Sequence, residues 1–278
     1  MMNKNKLTAL IHKVSKEKDV SFNILLQVYF FERFLDRLAN SKYKNSFILK
    51  GGFLLSSLLG ITERSTIDMD FSVSNIEFDK NNLKDIIYQI IQLDLKDDVS
   101  FQVLNVTEIM ELSTYIGYQI SLIAKLDNIK VPFHIDLASG DPITPVEKTY
   151  KYKQIIDNNL IEIKSYTVET ILAEKFQAII DKRVGNSRMK DFYDIYILLK
   201  LHKNLFDLKI LNKAIHTTFE YRETTIDKVG FKEFINVLEE DTGFILRWDN
   251  FVSKNYYVDD VDFEDVKFEL SKLIDYIE

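Results

Sequence analysis

Residues 47–73 read FILKGGFLLSSLLGITERSTIDMDFSV. An apolar run ends in Lys50-Gly51-Gly52, a short apolar helical pattern over Phe53–Leu59 closes at Gly60, and Asp68 and Asp70 then flank a single residue. In strand conformation alternate side chains point to opposite faces. Ile67, Met69, Phe71 and Val73 are therefore expected to face a core, and Thr66, Asp68, Asp70 and Ser72 the other side. Two carboxylates on one strand face repel each other unless a cation lies between them, which suits a Mg²⁺ (or Mn²⁺) site that handles phosphates. A Gly-Gly turn ahead of a helix offers bare backbone N–H groups to an anion.

Three later stretches carry the same kind of signal. In VPFHIDLAS (131–139), Val131, Phe133, Ile135 and Leu137 alternate with His134 and Asp136. If this strand lies beside the Asp68/Asp70 strand, Asp136 becomes a third carboxylate on one face, a common plan for phosphoryl-transfer sites; otherwise His134 and Asp136 simply face water. In TVETILAEKFQAIIDKR (167–183), Val168, Ile171, Leu172 and Ile179 form an apolar helical stripe with Lys175 in its middle, while Glu169, Glu174, Gln177 and Asp181 lie elsewhere. A lysine there needs an anionic partner or a phosphate, or it snorkels to water. In RMKDFYDIYILLK (188–200), Asp191 projects from the apolar face made by Phe192, Ile195, Leu198 and Leu199, and Asp194 borders it. Asp191 is a natural partner for Lys175, either in a site or in a structural ion pair. Arg183 and Arg188 flank Gly185-Asn186-Ser187, a turn expected to be solvated unless it grips phosphates or an RNA backbone, and Arg64 could reach a phosphate or a carboxylate.

The bulk numbers bound the remainder. The 278 residues suffice for one or two domains, and 46% hydrophobic with 28% charged residues is ordinary for a globular protein. No cysteine is present, which excludes disulfides and thiolate zinc sites, and the four His form no HExxH pair. A net charge of −7 argues against a general nucleic-acid coat, though Lys42, Lys44 and Lys50, and Lys182, Arg183, Arg188 and Lys190, form local basic clusters. The stretch from Asp259 (DDVDFEDVKFEL) is acidic. No signal-peptide pattern opens the chain and no window has the ~18 apolar residues of a membrane span, so the expected location is cytoplasmic and no membrane partner is expected.

Helices are expected over 5–15, 21–40, 53–59 and 81–95, strands over 65–73, 101–110, 115–126 and 130–138, a short strand or a helix-to-turn entry over 47–50, and helices from Thr167 onward. The reading is a mixed α/β (α+β) first domain, 1–165, and a mainly helical second, 166–278.

These motifs in this order resemble the AbiEii-type nucleotidyltransferases, the toxin components of type IV toxin–antitoxin and abortive-infection systems (the DUF1814 group). The likeness runs through LKGGFLLSSLLGITERSTIDMDF, FHIDLASGDPITP, ETILAEKFQAIIDKR and SRMKDFYDIYILLK to TTFEYRET (Arg222) and RWDNF (Trp248). It implies a polymerase-β-like nucleotidyltransferase fold in the first half. It also implies that Lys50, Gly51 and Gly52 form the triphosphate turn, that Asp68 and Asp70 hold the metal with Asp136 as third carboxylate, and that Lys175 and Asp191, supported by Asp194, are the downstream functional pair. Many nucleotidyltransferases have Gly-Ser where this chain has Gly51-Gly52, which leaves backbone amides and Ser56 to hold phosphates; Arg64 and Arg188 complete the expected nucleotide contacts. The resemblance further implies an NTP substrate, a tRNA 3′ end as lead acceptor, and a cognate antitoxin. A protein hydroxyl as acceptor, a non-catalytic NTP-binding module and a metal-dependent phosphohydrolase are the competing readings.

Overall fold

A computed structural model describes residues 2–66, 68–112, 115–258 and 261–278, and it divides into two compact units. The first comprises residues up to Gly140 together with Lys148–Ser165; the second comprises Asp141–Glu147 and Tyr166–Glu278. The expected boundary at 165 thus misses one exchange: the 141–147 segment belongs with the helices. Thr144 explains it, because its N–H donates to the Thr170 hydroxyl at 2.9 Å and its carbonyl accepts from Thr167 Oγ1 at 2.6 Å, both at the start of the first helix of that unit.

The first unit opens with α1 (Lys4–Lys18) and α2 (Phe22–Ala39) and continues through β1 (Phe47–Lys50), α3 (Gly51–Leu59), β2 (Met69–Val73) and α4 (Lys80–Ile91). It ends with β3 (Ser100–Leu112), β4 (Tyr115–Leu126), β5 (Ile129–Ala138), β6 (Lys148–Lys153) and β7 (Leu160–Ser165). One mixed sheet forms in the order β3-β4-β5-β2-β1-β7-β6, with β2–β5 and β1–β7 parallel. Its inner face is aromatic. Phe31 of α2 meets Phe53 at 5.3 Å and Phe133 at 5.2 Å, and Phe71 meets Phe47 at 5.7 Å, in the edge-on geometry that ring quadrupoles favour. The alternation expected on β2 holds for Met69, Phe71 and Val73, which are buried. Ile67 lies outside the described residues. The strand begins at Met69 rather than Ser65, so Asp68 stands just before it, and Thr66 and Ser72, expected on the outward face, are buried.

The β6–β7 hairpin was not anticipated, although Tyr150/Tyr152 and Ile161/Ile163 alternate. It is pinned to α2 by Glu32, a fully buried carboxyl that accepts from the Tyr152 hydroxyl at 3.0 Å and the Ile155 N–H at 2.6 Å. On the same helix Arg33 pairs with Asp157 at 2.9 Å, and Arg37 grips Asp97 with two nitrogens at 2.8 and 2.7 Å.

The second unit contains α5 (Val168–Lys182), α6 (Met189–Leu201), α7 (Leu208–Tyr221), α8 (Lys228–Val237), α9 (Thr242–Lys254) and α10 (Phe263–Tyr276). Its core is again aromatic: Phe176 lies against Phe219 and Phe231, while Phe192 meets Phe244 and Phe263, with Trp248 packed on Phe263. The acidic Asp259 and Asp260 lie outside the described residues; Asp262 caps α10. No helix among the described residues is long and apolar enough to cross a membrane.

Burial pushes the Glu32 carboxyl up from its ordinary 4.5 to about 8, despite its two donors and the Arg33 charge. Below pH 4.5 the group is protonated in both folded and unfolded chains, and its stabilising contacts are fully present. As pH rises toward 8 the unfolded chain ionises while the folded chain resists, so stability is lost. Glu32→Gln keeps the acceptor oxygen and removes the titration. Thermal melts are expected to show the variant matching wild type near pH 4.5 and melting several degrees higher near pH 8.

Candidate active site: a glycine turn and carboxylates on the sheet, a buried lysine among the helices

In the first unit β1, α3, β2 and β5, whose three strands are interior to the sheet, carry Lys50, Gly51, Gly52, Asp70 and Asp136. Register pairs Lys50 with Asp70 across β1–β2 and Asp70 with Asp136 across β2–β5, which gives one row of cation, carboxylate, carboxylate along the sheet. The row continues to Gln119 of β4, whose amide donates to Asp136 Oδ1 at 3.0 Å and fixes that carboxylate. Asp136 therefore does share the sheet neighbourhood of Asp70. Asp68 is exposed one residue ahead of β2, its N–H donating to the Thr66 hydroxyl at 3.3 Å.

The glycines explain how closely these groups approach. Gly51 has φ +68°, and a Cβ there would lie 2.1 Å from Asp70 Oδ2, so the Asp70 carboxylate rests against the first residue of α3. A Cβ on Gly52 would come to 3.1 Å from Arg64 Nη2 and 3.2 Å from Thr66 Oγ1. Arg64 is buried, packs beside this turn and donates to the Ser65 carbonyl. Ser56 is buried four residues after Gly52, on the same side of α3. Lys50, at the N-cap of α3, brings no side-chain acceptor to the helix amides. Asn, Ser, Thr or Asp caps α1, α2, α4, α5 and α7 through α10; α3 and α6 are the exceptions among the described helices.

That second exception begins the other cluster. In the helical unit Lys175 Nζ of α5 lies 2.6 Å from Asp191 Oδ1 and 2.8 Å from Asp194 Oδ2 of α6, all three buried. Arg188, the N-cap residue of α6, approaches Asp191 Oδ2 at 2.9 Å. Two cations thus offset two carboxylates, Lys175 from within the fold and Arg188 from an exposed position. The expected one-sided stripe on α5 is corrected: Glu169 and Gln177 are buried too, and α5 is covered nearly all round. Glu169 accepts the Asp207 N–H at 3.0 Å, and Gln177 accepts from Arg222, which also reaches Asp141 at 3.0 Å. The Gly185-Asn186-Ser187 turn is anchored rather than merely solvated, since Asn186 is fully buried and its side-chain oxygen accepts the Arg188 N–H at 2.7 Å.

Comparison with known proteins now decides the family. The chain matches the family described as "Nucleotidyl transferase AbiEii toxin, Type IV TA system" over residues 33–268. The chain belongs to the AbiEii nucleotidyl transferase toxins. Family membership makes it a nucleotidyl transferase and implies an NTP substrate and an antitoxin partner. A solved H. pylori structure, provisionally assigned as a nucleotidyltransferase, is similar over 92% of this chain and 95% of its own, with TM-score 0.53 and 16% identity. JHP933 from Helicobacter pylori is similar over 90% of each chain, with TM-score 0.51 and 16% identity. At that identity both show a shared fold. No curated protein matches the chain.

Thr66 and Gln119 are site neighbours to which the sequence alone assigns no role. Thr66 lies inside the quoted motif; Gln119 gives no signal until strand register places it beside Asp136. Among the described residues no group of three or more His, Cys, Asp or Glu side chains is arranged to hold a metal ion by itself. The donor set nonetheless fits Mg²⁺, which keeps waters and binds through one or two carboxylates plus substrate phosphates rather than in an all-protein cage. Asp70 and Asp136, on adjacent strands, supply hard oxygen donors of that kind.

Gly51→Ala is expected to displace the Asp70 carboxylate and to strain a left-handed backbone, at about 1–2 kcal/mol for the backbone alone. Gly52→Ala meets the Arg64 guanidinium and the Thr66 side chain at 3.1–3.3 Å, tight but without the 2.1 Å collision, and is expected to be milder. Melting curves with and without Mg²⁺-NTP should show nucleotide stabilisation lost in the first variant and retained in the second. Lys175→Met would leave two buried carboxylates facing each other without their shared cation. It is expected to destabilise by about 3–5 kcal/mol in chemical denaturation.

Proposed function

We propose that the protein transfers a nucleotidyl group from an NTP to the 3′-terminal hydroxyl of a tRNA, with pyrophosphate leaving. The observation that carries this reading is the Asp70 carboxylate seated against Gly51, at the start of an α3 whose N-cap brings no side-chain acceptor, and beside Asp136 in the next strand. Carboxylates able to hold a cation and backbone amides able to hold phosphate then sit within one turn of each other.

Gly51 and Gly52 present the α3 amides to the triphosphate, and Lys50, Ser56 and Arg64 add cationic and hydroxyl contacts around the turn. Asp68 and Asp70, with Asp136, would hold Mg²⁺ (or Mn²⁺). When bound, the ion supplies Lewis-acid stabilisation of the charge that develops on the phosphates. Asp136, steadied by Gln119, orients the acceptor hydroxyl and takes its proton at the carboxylate. Lys175, oriented by Asp191 and Asp194, neutralises phosphate charge, and Arg188 assists from the start of α6. The rate gain comes from positioning and fixed electrostatics.

The test is incubation of the protein with Mg²⁺, total tRNA and each α-labelled NTP in turn, with Asp70→Ala as control. Label is expected in tRNA with one nucleotide, reduced roughly 10²–10³-fold or more in the variant, the scale of losing one charge-stabilising group. Label in protein instead of tRNA would move the acceptor to a protein hydroxyl. Near-wild-type transfer by Asp70→Ala would overturn the assignment of the metal-binding carboxylates.

A further inference from the structure

The sheet face that carries Asp136 continues well beyond it. Along β5 the outward side chains are Asp136, His134, Pro132 and Lys130, and opposite them on β4 stand Gln119, Ser121, Ile123 and Lys125. The residues between them, Phe133, Ile135, Ile120, Leu122 and Ala124, are buried on the other side. His134, Pro132 and Lys130 are exposed, and their β4 partners are partly so. The face is thus a ladder of four rungs, successive rungs about 6.6 Å apart and the whole about 20 Å long.

Each rung has its own chemistry. The first is the carboxylate held by Gln119. The second is an imidazole whose Nδ1 lies 3.1 Å from the Ser121 hydroxyl. The third is apolar, a proline ring beside isoleucine. The fourth is a pair of lysines, with Lys125 Nζ held 2.8 Å from Gln102 Oε1 of β3. The order runs from reacting centre to hydrogen-bonding ring, apolar platform and paired cations.

We propose that this β4–β5 face binds the acceptor as a single-stranded RNA 3′ end, with its terminal hydroxyl at Asp136 and a backbone phosphate at Lys125 and Lys130. The inference rests on the nucleotidyl-transfer reading above and adds where the acceptor lies. Unpaired RNA is recognised by stacking on rings and by contacts to hydroxyls and phosphates, and this face supplies those groups in sequence. A local cation pair at the far end also reconciles nucleic-acid binding with a net charge of −7. Two lysines about 20 Å from the carboxylate suit a backbone phosphate a few nucleotides from the terminal hydroxyl.

The experiment measures binding of a short single-stranded RNA with a free 3′-hydroxyl, labelled at its 5′ end, by fluorescence anisotropy over a salt series. Nucleotidyl transfer to the same RNA is followed in parallel. Lys125→Glu with Lys130→Glu is expected to raise Kd tenfold or more and to lower the slope of log K against log salt by about 1.4, two phosphates at ~0.7 each. His134→Ala is expected to weaken binding about fivefold or more. Lys125→Arg with Lys130→Arg should bind as wild type, which separates charge from folding, and so should Lys16→Glu with Lys18→Glu on α1. If the two charge-reversed proteins bind RNA equally, the inference fails, whatever the transfer assay gives. Transfer to a protein acceptor that survives reversal of Lys125 and Lys130 overturns it as well. RNA binding that is lost in the Lys125/Lys130 reversal, from a wild type that transfers nothing, supports the face and sinks the nucleotidyl-transfer reading instead.

Discussion

The first unit depends on one missing atom. Without a Cβ at Gly51, the Asp70 carboxylate can lie against the start of α3; with one, the two would collide at 2.1 Å. That approach fixes how β1 turns into α3, because the positive φ at Gly51 swings the chain from strand to helix within one residue. It also fixes where β2 must run, since Asp70 has to stand opposite Lys50. The strand register, the glycine turn and the charge row along the sheet are consequences of the same close contact.

Helix capping divides stability from function in this chain. Among the described α-helices eight start at a side chain whose oxygen satisfies their first amides, a feature worth about 1 kcal/mol each. The two that do not, α3 and α6, start at Lys50 and Arg188. A cationic residue at the positive end of a helix is unfavourable by itself. Its neighbours offset it: Asp70 opposes Lys50 in register, and Asp191 meets Arg188 directly. Both departures from good capping fall on residues proposed to contact the nucleotide, the kind of place where binding can override local stability.

Much of this was legible in the sequence because period and spacing carried it. The alternation of Met69, Phe71 and Val73 gave the inner face of β2, and a lysine on an apolar stripe pointed to its partner, Asp191. The unread parts needed information that a single segment does not contain. The β6–β7 hairpin contains two lysine-bearing strands with short alternation, and what docks it, pairing with β1 and hydrogen bonds to Glu32, comes from over a hundred residues earlier. Gln119 became a site neighbour only through register with Asp136. The all-round burial of α5 follows from what packs around it, which the 3.6-residue period of one helix cannot report.

The exchange at 141–147 reaches beyond packing. The backbone leaves the sheet unit after Gly140, contributes seven residues to the helical unit, returns to build β6 and β7, and only then departs for good. A single cut therefore cannot separate the two units. A fragment ending at Ser165 would retain Thr144 without Thr167 and Thr170, and one beginning at Tyr166 would lack the strand of chain that those threonines hold. The two units are stitched together in the covalent chain itself, so recombination that shuffles whole domains between proteins would find no clean seam here, and the pair is constrained to be inherited as one piece.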